Sequence, residues 1–135
     1  MPEPGQTATR QLTVTSEIVE KYAEITGDYN PLHFDERFVA GTQFGKLIAQ
    51  GGIATGLLHA LVAMDIPGAG SVFLRQQWSF PKPVYIGDTI TARGTVKSWR
   101  TGRAMGDMEF VVENQVGEVV LRGEATVFQA TSPRP

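Results

Sequence analysis

With 135 residues, 41% of them hydrophobic and 19% charged, the chain has the length of one domain and the make-up of an ordinary folded protein. Twelve basic against fourteen acidic residues leave a formal charge of -2. No whole-molecule field therefore favours nucleic acid or a membrane as partner, and an anionic ligand would need a local cluster. The lack of cysteine excludes disulfides, thiolate zinc sites and a cysteine nucleophile, and is compatible with a reducing cytoplasm, the expected location.

Residues 1–8, with two prolines and a glycine, predict a flexible lead. Glu3 and Pro4 break the basic-then-apolar order of a secretory signal, so the mature chain is expected to start here. Arg10 to Val14 reads as a short strand with Leu12 and Val14 on one face. Ser16 offers a helix N-cap, and Ile18, Val19, Tyr22 and Ile25 follow at helical spacing. Glu17 suits the positive end of the helix dipole, and Gly27 suits the position just past the last turn. The helix thus delivers the chain to Asp28. After the Asn30-Pro31 turn, Asp35 can cap a second short helix reaching about Phe44, where Gly45 stops it.

The run Leu47 to Ile66 is interrupted by Gln50, Gly51, Gly52, Gly56, His59 and Asp65, and so reads as a buried helix instead of a membrane span. Between Gly51 and Met64, the residues Ile53, Leu57, Ala60, Leu61 and Met64 make a stripe that Ala54, Leu58 and Val62 widen. A helix this apolar is expected to be enclosed. Pro67-Gly68-Ala69-Gly70 ends it.

Ser71 to Phe80 predicts a half-buried strand with Val72, Leu74, Trp78 and Phe80 inward, although Phe73 and Gln76 break the alternation. Thr89 to Trp99, Ala104 to Gln115 and Val119 to Gln129 predict three more, separated by turn residues, and Thr131 to Pro135 a frayed tail. One domain over residues 9–130 follows. Its order, one strand, helices, then four strands, predicts an α+β hotdog fold, a curved antiparallel sheet wrapped around a long central helix. Such a sheet leaves an exposed edge, so a homodimer joining two sheets is expected.

Asp28 and His33 stand five apart on an irregular bridge, where one helix face cannot align them. Asn30 tolerates the left-handed conformation, while Pro31 fixes its own backbone and keeps Asn30 from the helical region. Together they can fold the bridge back. A carboxylate facing an imidazole can hold a water, polarise it as base and return a proton as acid, which is what adding water to a double bond requires. Singly, either residue would read as a cap or a loop side chain. Gly27, Asp28, Asn30, Pro31 and His33 together, at fixed offsets, carry the chemical reading.

The segment Tyr22-Ala23-Glu24-Ile25-Thr26-Gly27-Asp28-Tyr29-Asn30-Pro31-Leu32-His33 closely resembles the signature of the MaoC-like, (R)-specific enoyl-CoA hydratases. The resemblance continues through Gln50-Gly51, Pro67-Gly68-Ala69-Gly70-Ser71 and Phe80-Pro81-Lys82-Pro83-Val84-Tyr85-Ile86-Gly87-Asp88. It implies a hotdog homodimer in which Asp28 and His33 are the catalytic pair and Asn30 braces the loop on the substrate side. It also implies an acyl-CoA substrate, with coenzyme A as part of the substrate and no separate cofactor. The enolate oxygen needs a fixed donor, and Gly51 at the helix amino terminus can offer its N–H there, as the family's glycine does. The competing reading is that Gly51 and Gly52 only permit close packing. Many relatives begin this helix with His-Gly and carry a serine further on, whereas this chain has Gln50 and, in an ungapped alignment, Gly56.

His59, within the apolar helix, reads as a core or interface histidine and lacks the i+4 partner of a metal helix. No metal is expected. Lys97, Arg100 and Arg103 cluster at a turn that either meets coenzyme A phosphates or is simply solvated. Trp78, Phe80 and Tyr85 either line an acyl tunnel or belong to the core. A hotdog thioesterase, a dehydratase using another acyl carrier and a noncatalytic binding domain are the alternative functions.

Overall fold

The computed structural model describes residues 2–131; Met1 and residues 132–135, which hold all of the expected tail except Thr131, lie outside it. The elements are β1 (Thr7–Thr13), α1 (Ser16–Thr26), α2 (Pro31–Phe34), α3 (Glu36–Ala40), α4 (Gly51–Met64), β2 (Ser71–Ser79), β3 (Thr89–Arg100), β4 (Met105–Glu113) and β5 (Val119–Gln129). A 3₁₀ turn over Thr101–Arg103 joins β3 to β4. All strands pair antiparallel in the order β1-β3-β4-β5-β2, so β1 and β2 form opposite edges. The chain between them must cross the sheet, and α4 packs on β3, β1 and β2 as it does so. This is the hotdog arrangement. No described helix is long and apolar enough to cross a membrane.

Period-two patterning builds the sheet. In β3, Ile90, Ala92, Gly94 and Val96 are buried, and in β4 Gly106, Met108, Phe110 and Val112 are, while the residues between them are more exposed. Leu58 and Leu61 of α4 meet Ile90, Met108 and Leu121 with no exposed surface. Burial of each such side chain stabilises the fold by roughly 1.5–3 kcal/mol. Large rings lie over glycines on neighbouring strands: Trp78 pairs with Gly123, and Trp99 with Gly106. A Cβ on either glycine would come within 2.7 Å of the indole ring and also meet main chain.

Several boundaries differ from those the sequence suggests. β1 begins at Thr7, inside the expected flexible lead, because Gly5 and Gln6 already hydrogen-bond with Val96. Thr15, not Ser16, caps α1, accepting from the Ile18 amide. Ile25 is 84% exposed, and the inward residues of α1 are Val19 and Ala23. Asp35 does cap a helix, but α3 stops at Ala40 instead of Phe44, and a separate short α2 precedes it.

Two differences concern the core. α4 is not enclosed: Gly56, His59 and Ala63 are exposed, and Met64 is 69% so, because the single sheet and α1 cover only part of its circumference. In β2, the register shifts between Phe73 and Arg75, skipping Leu74. This bulge reverses the phase. Phe73 pairs with buried Val127 and Gln76 with buried Ala125, while Val72 and Leu74 are each 51% exposed. The two residues that break the alternation therefore share the sheet face of Val127 and Ala125, Phe73 half-buried and Gln76 still exposed.

Candidate active site

α1 ends where Gly27 takes a left-handed φ of 81° and its amide donates to the Ala23 carbonyl at 2.7 Å. Only glycine enters that region at no steric cost. The Thr26 hydroxyl donates to the Tyr22 carbonyl at 2.8 Å and accepts from the Asp28 amide at 3.2 Å. Asp28 Oδ1 in turn accepts from the Asn30 amide at 3.3 Å, and Asn30 Oδ1 from the Leu32 amide at 3.1 Å. Asn30 has φ −52° and ψ 131°, so it is extended and not left-handed. Pro31 at the first helical position enforces this, since it disfavours the helical region for its predecessor. The bend belongs to Gly27, and Asn30 acts as the N-cap of α2.

α2 carries His33, which is only 7% exposed. Its Nδ1 lies 2.7 Å from the Ile48 carbonyl, while the Ile48 amide donates to the Leu32 carbonyl at 3.1 Å. A carbonyl can only accept, so the ring proton sits on Nδ1. In the neutral ring Nε2 then presents its lone pair, and the Asp28 Oδ2 oxygen is 3.8 Å away. That gap exceeds a direct hydrogen bond. Two acceptors at this separation can each take one hydrogen of a single water.

The segment that orients His33 runs directly into α4. Gln50, 2% exposed, donates from Nε2 to the Val19 carbonyl at 3.1 Å and ties α1 to the start of α4, while its Oε1 has no partner. α4 opens without a side-chain cap, leaving first-turn amides that no side chain satisfies. A Cβ on Gly51 would sit 3.3 Å from the Phe80 ring, and one on Gly52 would overlap the Tyr22 hydroxyl. Close packing thus accounts fully for Gly52. At Gly51 it coexists with an exposed position beside a cavity of about 310 Å³ lined by Phe44, Ile48, Gln50, Gly51, Phe80 and Val84.

The other expected residues are placed elsewhere. Lys97 bridges Glu109 at 3.5 Å and Glu124 at 3.6 Å on the outer face of the sheet, and Arg100 and Arg103 are exposed around the 3₁₀ turn. Trp78 packs against Phe110 at 5.4 Å between ring centres, and the Tyr85 hydroxyl donates to the Phe44 carbonyl at 2.9 Å. Among the described residues, no three His, Asp or Glu side chains converge as a metal would need. Thr26 and the Ile48 carbonyl were not singled out from sequence. Thr26 reads as a last helical residue, and a main-chain carbonyl fifteen positions from its histidine leaves no trace in side-chain identity.

A five-stranded antiparallel sheet around one helix, with a carboxylate facing an oriented imidazole near the start of that helix, defines a hotdog protein. The family described as MaoC like domain matches residues 2–118, and the chain belongs to it. A 3-hydroxybutyryl-CoA dehydratase of Methylorubrum extorquens is 39% identical over 126 residues, 93% of this chain and 79% of the relative. An (R)-specific enoyl-CoA hydratase of Aeromonas caviae is 34% identical over 125 residues, 93% of each chain. A solved (R)-hydratase structure from A. caviae superposes with a TM-score of 0.90 at 33% identity, covering 95% of this chain and 97% of the other.

Proposed function

We propose that this protein is an (R)-specific 2-enoyl-CoA hydratase, adding water reversibly to a trans-2-enoyl-CoA to give the (R)-3-hydroxyacyl-CoA. The relatives' activities support the reaction class. The observation that carries the mechanism is the 3.8 Å gap between Asp28 Oδ2 and His33 Nε2, with the His33 proton held on Nδ1 by Ile48.

In this reading the pair holds one water between them. As the water oxygen bonds to C3 of the enoyl thioester, one of its protons passes to the pair, and the pair returns a proton to C2. The two groups act as a coupled unit, so neither is assigned base or acid alone. Charge that builds on the thioester oxygen meets the Gly51 N–H at the positive end of α4. Asn30 braces the loop that carries Asp28. Coenzyme A enters as part of the substrate, and Arg100 and Arg103 are available to its phosphates.

Wild-type protein should lower the enoyl absorbance of crotonyl-CoA. Asp28→Asn and His33→Ala should lower kcat by about 10²–10⁴-fold, the usual share of a general acid/base group. Equal rates in all three proteins would sink the assignment. Release of free thiol from saturated acyl-CoA would instead favour a thioesterase.

The working form in this proposal is a homodimer. Val72 and Leu74 on the edge strand β2, with Met64 and Phe80 nearby in sequence, are each at least half exposed. An unpaired edge with apolar flanks is suited to a second copy. Light scattering should return twice the chain mass; a monomer at micromolar concentration would overturn this.

A further inference from the structure

Gln50 is the last residue before α4, yet its side chain does not cap that helix. It turns back to α1, where Nε2 donates to the Val19 carbonyl at 3.1 Å. A carbonyl only accepts, so this contact fixes which end of the amide is the NH2 group, and Oε1 is left buried with no partner. Within α1 the Val19 carbonyl already faces its ordinary helical donor, the Ala23 amide. The bond from Gln50 is thus dispensable to Val19, and making it strands a buried acceptor. For stability alone, an apolar side chain would serve better at this position.

What the bond supplies is a tie between the two halves of the catalytic pair. Among the described residues it is the one hydrogen bond that joins α1 to a distant part of the chain. Gln50 lies two residues from Ile48, whose carbonyl holds His33 Nδ1 at 2.7 Å, and the Ala49 amide between them donates to the Val84 carbonyl at 2.7 Å. The Gln50 carbonyl itself accepts from the Ile53 amide at 3.1 Å, so the main chain there is fixed on both sides. In the other direction, Val19 is about 10 Å along the axis of α1 from Thr26. The Thr26 hydroxyl accepts from the Asp28 amide at 3.2 Å. A tilt of α1 at Val19 is therefore carried to Asp28 while His33 stays where it is.

We infer that Gln50 is a positioning residue for the acid/base pair. Its amide holds α1 at the angle that sets Asp28 opposite His33, and its unpaired Oε1 lowers stability in doing so. This rests on the hydratase reading above and deepens it.

The test is Gln50→Met, which keeps the length of the side chain and removes both polar atoms. The variant should melt at or above the wild-type temperature. Its kcat on crotonyl-CoA should fall about tenfold or more with KM within about twofold, since a displacement below 1 Å at a reacting group is enough for that. In an Asp28→Asn or His33→Ala background, the same change should lower the remaining rate by less than about twofold, because the geometry it protects has already lost its use. The full loss repeated in both backgrounds overturns the inference, as does a wild-type kcat in Gln50→Met alone. So does a melting temperature that falls along with kcat, which marks a support of the fold only, or a raised KM at unchanged kcat, which marks a substrate contact. Wild type separates the layers: if it does not hydrate crotonyl-CoA the hydratase reading itself is removed, and if it does, these results remove the positioning role alone.

Discussion

The bridge Thr26–His33 and the strand Ser71–Ser79 are of nearly equal length, and each carries side chains that matter, yet they take their shape from different sources. Every hydrogen bond that places Asp28 comes from within six residues of it: Thr26, Asn30 and, through Thr26, Tyr22. In β2, by contrast, which residues face inward is decided by β5, about fifty positions later, through a bulge at Leu74. Local chemistry is written where it acts. Register is written in the partner strand.

The largest expected effect breaks the partner-determined side. Gly123 lies opposite Trp78, and a side chain there would meet both the indole and the Gln77 carbonyl. Main chain cannot give way as a flexible side chain can, so Gly123→Ala should cost about 3 kcal/mol, at the upper end for overpacking. Chemical denaturation would read this as a lowered midpoint. A change below about 0.5 kcal/mol, the range of ordinary surface substitutions, would mean that β2 is free to slide on β5.

A smaller effect tests the locally determined side. Thr26→Val keeps the branched shape but removes the hydroxyl that accepts from the Asp28 amide and donates to Tyr22. The site is exposed, so stability should change by under about 1 kcal/mol. The rate of enoyl-CoA hydration should fall about tenfold, because a displacement well below 1 Å at a reacting group is enough for that. A rate equal to wild type would show that Gly27 and Asn30 suffice to hold Asp28.

The same contrast explains what could be read from sequence. The central helix, its stop at Pro67-Gly68, the strands β3 and β5 and the Asp28–His33 bridge all rest on local pattern or turn chemistry, and the structure has them within a residue or so. The inward face of β2 was not legible, since Phe73 and Gln76 look like noise until the bulge is seen. Nor was the open side of α4. Composition makes that helix look enclosed, but enclosure depends on how much other chain is available to cover it. At the site, the approach of Asp28 to His33 was legible in their spacing, whereas the partner that holds His33 Nδ1 is the main chain of Ile48. Any residue there could supply it.

The smallest expected effect lies where both kinds of determination meet. Lys82, in the segment that carries Phe80 over Gly51, pairs with Glu118 of the β4–β5 turn at 3.0 Å, and the Asn114 side chain donates to the same carboxylate at 2.9 Å. The Asn114 hydrogen bond, and then Lys82, hold the Glu118 carboxyl below its ordinary value of 4.5. A carboxyl lowered in the folded state contributes stability that is present above its unfolded value and lost as pH falls through the folded one. Wild type should therefore melt slightly above Glu118→Gln at neutral pH, with the gap closing as the solution is taken well below pH 4.5. The pair is exposed, so salt should shrink the gap as well. A gap that persists in acid would assign the effect to the neutral hydrogen bonds of the turn, leaving the tie between Lys82 and Glu118 without a role in holding Phe80.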